Sequence, residues 1–125
     1  MYLADTNIFL EILLKQEKSE VCKRFLVENI ERIYISDFSL HSIGVILFRQ
    51  KAEQVFSKFI ADILPKVNLL TLPKNIYSDL VNIKKETGLD FDDSYQYCVC
   101  KCFKLKLLTL DKDFEKVKDV EIKFL

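Results

Sequence analysis

Tyr2-Leu3-Ala4-Asp5-Thr6-Asn7-Ile8-Phe9-Leu10 is the stretch that decides the fold. Tyr2 to Ala4 is a short apolar run suited to a strand. Asp5-Thr6-Asn7 then offers helix-capping side chains ahead of an apolar-periodic run from Ile8 to Leu14. A strand running directly into a helix implies a βα unit, and the same grammar recurs along the chain. Ser19 suits the cap of a second helix through about Asn29, with Val21, Cys22, Phe25 and Leu26 on one face. Ile33 to Ile35 reads as a second strand. Ser36 and Asp37 open a third helix carrying Phe38, Leu40, Ile43, Ile46 and Leu47; it breaks near Gln50 and resumes to Leu64, where Pro65 stops it. Val67 to Leu72 is a third strand, and Pro73 opens a helix that Gly88 ends after Thr87. Asp92 or Asp93 begins the next helix, through about Phe103. Lys106 to Leu110 and Val120 to Phe124 are the fourth and fifth strands.

Strands alternating with helices require crossover connections, so the sheet is expected to be mainly parallel, with helices on both faces. The expected architecture is a three-layer α/β/α domain around five strands, formed by residues 1–125 as one unit. Ligands of such sheets bind at the carboxyl ends of strands, where strand order reverses. Asp5 directly follows the first strand and Asp111 the fourth, both positions of that kind.

Composition narrows the function classes. Half of the 125 residues are hydrophobic, and the 19 basic and 19 acidic side chains cancel. No broad positive field advertises nucleic-acid binding. An acidic catalytic pocket nevertheless lowers net charge without preventing contact with phosphate through a cation. The start lacks the basic and apolar regions of a secretion signal, and no long apolar stretch follows, so a cytoplasmic location and no membrane association are expected. Cys98, Cys100 and Cys102 alternate within a helical segment, where they cannot pair locally, and they read as small core residues.

An aspartate at a strand end suits turns and caps, so none of these acids is informative singly. Their joint context is. Ala4-Asp5-Thr6-Asn7-Ile8-Phe9-Leu10, Leu89-Asp90-Phe91-Asp92-Asp93-Ser94 and Leu108-Thr109-Leu110-Asp111-Lys112-Asp113-Phe114, in this order and spacing, resemble the PIN-domain family, including the VapC ribonuclease toxins. The resemblance implies a parallel-sheet fold, Mg²⁺ or Mn²⁺ at the strand ends, and hydrolysis of RNA. It also implies a toxin role beside an antitoxin protein, and frequent homodimers. Matched by residue, Asp5, Asp93 and Asp111 take the catalytic and metal-ligand positions, and Asp113 that of an accessory acid. Asp92 replaces Asp93 if the helix register is off by one, since neighbours on a helix point about 100° apart. Asp90 reads as a solvated loop residue. Asn7, Ser39, Ser42 and Thr109 are further accessory candidates.

The chemistry is coherent without the family. Clustered carboxylates raise one another's pKa, and a hard divalent cation with oxygen ligands relieves that repulsion. Water can then serve as nucleophile. No Ser-His-Asp arrangement is present. One feature departs from the family pattern. The glutamate usual about six residues after the serine opening the third helix is here Ser42. Ser39 and Ser42 share a helix face, pointing two hydroxyls where Thr and Glu are usual. This leaves open either a one-metal site or a catalytically weak module that binds protein or RNA. A receiver domain is disfavoured, because Leu72-Pro73 stand where its third-strand aspartate would be. His41, flanked by apolar positions, reads as a surface or packing residue. Lys15, Lys18, Lys23, Arg24, Arg49 and Lys51 read as solvated surface, while Tyr95 and Tyr97 are the aromatics to check for stacking on RNA.

Overall fold

A computed structural model describes residues 1–125. Five strands, β1 (Tyr2–Ala4), β2 (Ile33–Ser36), β3 (Asn68–Leu70), β4 (Lys106–Thr109) and β5 (Ile122–Phe124), form one sheet in the order β3-β2-β1-β4-β5. Every pairing is parallel, with Leu3 opposite both Tyr34 and Leu107. Six helices connect them: α1 (Thr6–Leu13), α2 (Ser19–Glu28), α3 (Asp37–Arg49), α4 (Glu53–Asp62), α5 (Asp79–Thr87) and α6 (Phe91–Phe103).

Side-chain alternation along the strands divides the core into two layers. Leu3 and Leu107 pack with Leu80 and Ile83 of α5 and Val99 and Cys100 of α6. Their neighbours Ala4 and Leu108 face the opposite side, with Ile8, Phe9, Cys22, Leu26, Ile43, Leu47 and Phe59 of α1 to α4. The sandwich is thus α1–α4, sheet, α5–α6. The chain starts in the middle of the sheet, builds outward through β2 and β3, then returns to the other flank of β1 as β4. The strand order therefore reverses between β1 and β4, and the carboxyl ends of these two strands frame a crevice.

Several boundaries differ from the sequence reading, each for a local reason. Helix α6 begins at Phe91, not at Asp92 or Asp93, because Asp90 is its N-cap: its Oδ1 accepts the Asp93 N–H at 2.9 Å. Asp90 is therefore a helix cap, although solvent-exposed as expected of a loop residue. The helix expected from Pro73 splits into a tight turn, Lys74–Ile76, and α5. Edge strand β3 is shorter than expected, since the Leu72 N–H turns to the Tyr95 hydroxyl at 3.1 Å. Cys98 and Cys100 are buried, but Cys102 is exposed, and all four cysteines are free thiols. Tyr95 and Tyr97 are each 3% exposed, which removes them as platforms for RNA bases.

Candidate metal centre

The acidic crevice is built from four short segments. Asp5 ends β1 and caps α1, its Oδ1 accepting the Thr6 N–H at 2.9 Å. Asp111 follows β4 and caps the turn Lys112–Lys116, its Oδ1 accepting the Asp113 N–H at 2.9 Å. Asp93 lies in the first turn of α6, whose start is set by Asp90. Capping at β1, β4 and α6 thus aims three aspartate-bearing segments at one end of the sheet. The resulting cleft, about 260 Å³, is lined by Asp5, Thr6, Asn7, Asp92, Asp93 and Asp111, with Ser42, Phe38 and Ile46 of α3 on its far wall.

One carboxylate oxygen each from Asp93 and Asp111, which line the cleft, and from Asp113 lie within 4.8 Å of one another. Asp93 and Asp111 are half-buried and Asp113 is exposed. Asp5 stands outside this triplet, 6% exposed and engaged by protein donors. Its Oδ1 also accepts from the Gln96 amide at 3.0 Å, and its Oδ2 accepts from the Thr109 hydroxyl at 2.8 Å. The Thr109 oxygen in turn accepts from the Asp111 N–H at 3.0 Å and the Asn7 amide at 3.3 Å, while Asn7 Oδ1 accepts the Leu110 N–H at 3.2 Å. One hydroxyl therefore couples the aspartates after β1 and β4. Ser39 is fully buried behind the cleft, sharing hydrogen bonds with Thr6 and Gln96. Asp92 is exposed at the rim.

Burial, and then the charges of Asp90, Asp111, Asp5 and Asp113, push the Asp93 carboxyl up to about 7. Burial likewise raises Asp5, against the opposing hydrogen bonds from Gln96, Thr109 and Thr6. Burial and then Asp90 raise Asp92. Such a site is short of positive charge. A hard divalent cation fits the donor set, which is oxygen only, and would be held by Asp93, Asp111 and Asp113 with Asp5 adjoining. A larger hollow, about 540 Å³ between α3 and α4, is lined by Leu40, Gly44, Val45, Phe48, Phe56 and the exposed His41 and contains no carboxylate. His41 is thus not in the acidic cleft. The residue that sequence reasoning missed is Gln96. Its signal was available: a neutral polar side chain in the otherwise apolar run Tyr95–Cys100 needs a buried partner.

A fully parallel sheet with carboxylates gathered at its strand-order reversal defines an α/β protein with an acidic strand-end pocket. The chain belongs to the PIN-domain family, whose profile matches residues 2–120. Solved structures share the fold at low sequence identity. A toxin-antitoxin complex from Klebsiella pneumoniae is 23% identical, with a TM-score of 0.77, covering 96% of this chain and 95% of that one. VapBC2 from Rickettsia felis, bound to a DNA fragment from its promoter, is 18% identical, with a TM-score of 0.80 and coverage of 98% and 97%. VapC20 from Mycobacterium tuberculosis, a Sarcin-Ricin loop cleaving toxin, is 14% identical, with a TM-score of 0.78 and coverage of 92% and 93%. No curated protein matches the sequence. No helix is long and apolar enough to cross a membrane.

Proposed function

We propose that this chain is a divalent-metal-dependent endoribonuclease, one domain over residues 1–125, acting in the cytoplasm as the toxin of a toxin-antitoxin pair and assembling as a homodimer. The observation that carries the reading is the convergence of Asp93, Asp111 and Asp113 within 4.8 Å, with buried Asp5 lining the same solvent-open cleft as Asp93 and Asp111. Membership of the PIN family and the toxin-antitoxin character of its structural neighbours support it. Mg²⁺ or Mn²⁺ bound there would supply Lewis-acid chemistry toward a phosphodiester and offset its negative charge. The protein's own part is positional. Asp93 and Asp111 are aimed by helix and turn caps, and Asp5 is held rigid by amide and hydroxyl donors, so little reorganisation accompanies the reaction. The net charge of zero means that substrate attraction must be local.

Ser42 favours a second reading, in which the cleft binds RNA or a protein segment with little catalysis. It puts a hydroxyl on the α3 wall where the family usually has a carboxylate. RNA cleavage by the purified chain with Mg²⁺ or Mn²⁺, compared with Asp93→Asn, separates the two. The nuclease reading requires cutting by the wild type and loss of about 100-fold or more in the variant. No cutting, or equal cutting by both, refutes it.

A further inference from the structure

Gln96 sits in the centre of α6, 1% exposed, the one side-chain amide in the buried run Tyr95–Cys100. Its amide is fully used. The oxygen accepts from the Ser36 hydroxyl at 2.7 Å, and the nitrogen donates to Ser39 Oγ at 2.7 Å and to Asp5 Oδ1 at 3.0 Å. Ser36 and Ser39 are both fully buried, and the Ser36 hydroxyl also accepts the Ser39 N–H at 3.1 Å, so the amide is held from β2 and α3 while it reaches β1. This sense of the amide follows from chemistry, since only the nitrogen can face a carboxylate. Asp5 Oδ1 is then saturated, with Thr6 N–H and Gln96 Nε2 on it. Oδ2 has one short donor, the Thr109 hydroxyl at 2.8 Å, and a long contact from Asn7 at 3.5 Å.

We propose that Gln96 is a positioning residue for cation binding in the acidic cleft: its amide occupies Asp5 Oδ1 and leaves Oδ2 as the one oxygen Asp5 can offer. The inference rests on the metal-dependent reading above and deepens it. A purely structural role, tying α6 to α3 through Ser36 and Ser39, would need no bond to Asp5. The bond to Asp5 makes a separate prediction: removing the amide should act on cation affinity, and only through Asp5.

The test is Mn²⁺ binding to the purified chain by electron paramagnetic resonance, with melting temperature in EDTA recorded in parallel, for wild type, Gln96→Met, Asp5→Asn and the double variant. Partners one bond removed from a metal typically change affinity by about 10-fold or more. Gln96→Met should therefore raise the Mn²⁺ Kd at least about tenfold, and the double variant should bind within about twofold of Asp5→Asn alone. A Gln96→Met protein that melts lower yet binds Mn²⁺ like the wild type overturns the proposal, as does a Gln96→Met effect that persists in full in the Asp5→Asn background. Should Gln96→Met fail to fold, Ser39→Ala, which removes the acceptor of the second amide hydrogen, gives the same reading: severalfold weaker binding supports it and unchanged affinity overturns it. Wild type that binds no Mn²⁺ sinks the metal-dependent reading and this one with it. Binding by wild type with no effect of Gln96 sinks this one alone.

Discussion

Replacing Asp93 with asparagine removes a carboxylate that the fold has half buried among four others, and the consequence can be worked out for the metal-free protein. Asp93 titrates near 7 in the fold against an ordinary value of 3.8. At about 1.4 kcal/mol per pH unit, that displacement amounts to about 4 kcal/mol in a dry site. Asp93 is only partly shielded, so water screens the effect, and its place in the first turn of α6 partly compensates the charge. About 1–2 kcal/mol remains. The sign is fixed by linkage. The folded state holds the proton more tightly than the unfolded chain, so stability falls as pH rises from about 4 to about 7 and levels off above that. The asparagine side chain of the variant cannot ionise and lacks this step. In EDTA, Asp93→Asn should therefore gain on the wild type by about 1–2 kcal/mol between about pH 4 and 7, equivalent to about 4–8 °C in melting temperature, with no further gain at about pH 8. Urea unfolding across this range measures it. Parallel stability curves for the two proteins would refute the burial and charge crowding assigned to Asp93. Millimolar Mg²⁺ at about pH 8 should stabilise the wild type and leave the variant nearly unmoved.

Ser42→Glu should tighten Mn²⁺ binding severalfold by adding a carboxylate to the α3 wall of the cleft, and titration calorimetry showing unchanged affinity would remove Ser42 from the site. Gly88 ends α5 at φ 74°, so Gly88→Ala should cost about 1 kcal/mol in chemical unfolding, chiefly from backbone strain, since a Cβ would meet Lys116 Nζ only at an ordinary 3.5 Å. Lys104 ends α6 at φ 57° without being glycine, and Lys104→Gly should stabilise by about 0.5–1 kcal/mol; a lower melting temperature would contradict that reading.

The βα alternation was readable because strand and helix leave different apolar periods, and because Pro65 and Gly88 punctuate the chain. Asp5 and Asp111 were locatable from sequence for the same reason: Asp5 directly follows β1, and Asp111 comes two residues after the end of β4. The start of α6 was not, since Asp90, Asp92 and Asp93 are all competent caps and only the bond from Asp93 N to Asp90 Oδ1 decides among them. Nor was the end of β3, where Leu72 leaves the ladder for a hydroxyl 23 residues away.

Local sequence determined the class of fold and set Asp5 and Asp111 at strand ends, because periodicity and capping act over a few residues, while Asp93 and Asp113 were singled out only by the resemblance to the PIN family. Tertiary structure decided how those acids divide. It gathers Asp93, Asp111 and Asp113, sets Asp5 behind them in the grip of Thr109 and Gln96, and withdraws Tyr95 and Tyr97 into the core. The physical reason is that hydrogen bonds spanning 91 and 104 residues form only when β1, β4 and α6 pack together, and no local pattern specifies which donor a buried carboxylate will meet.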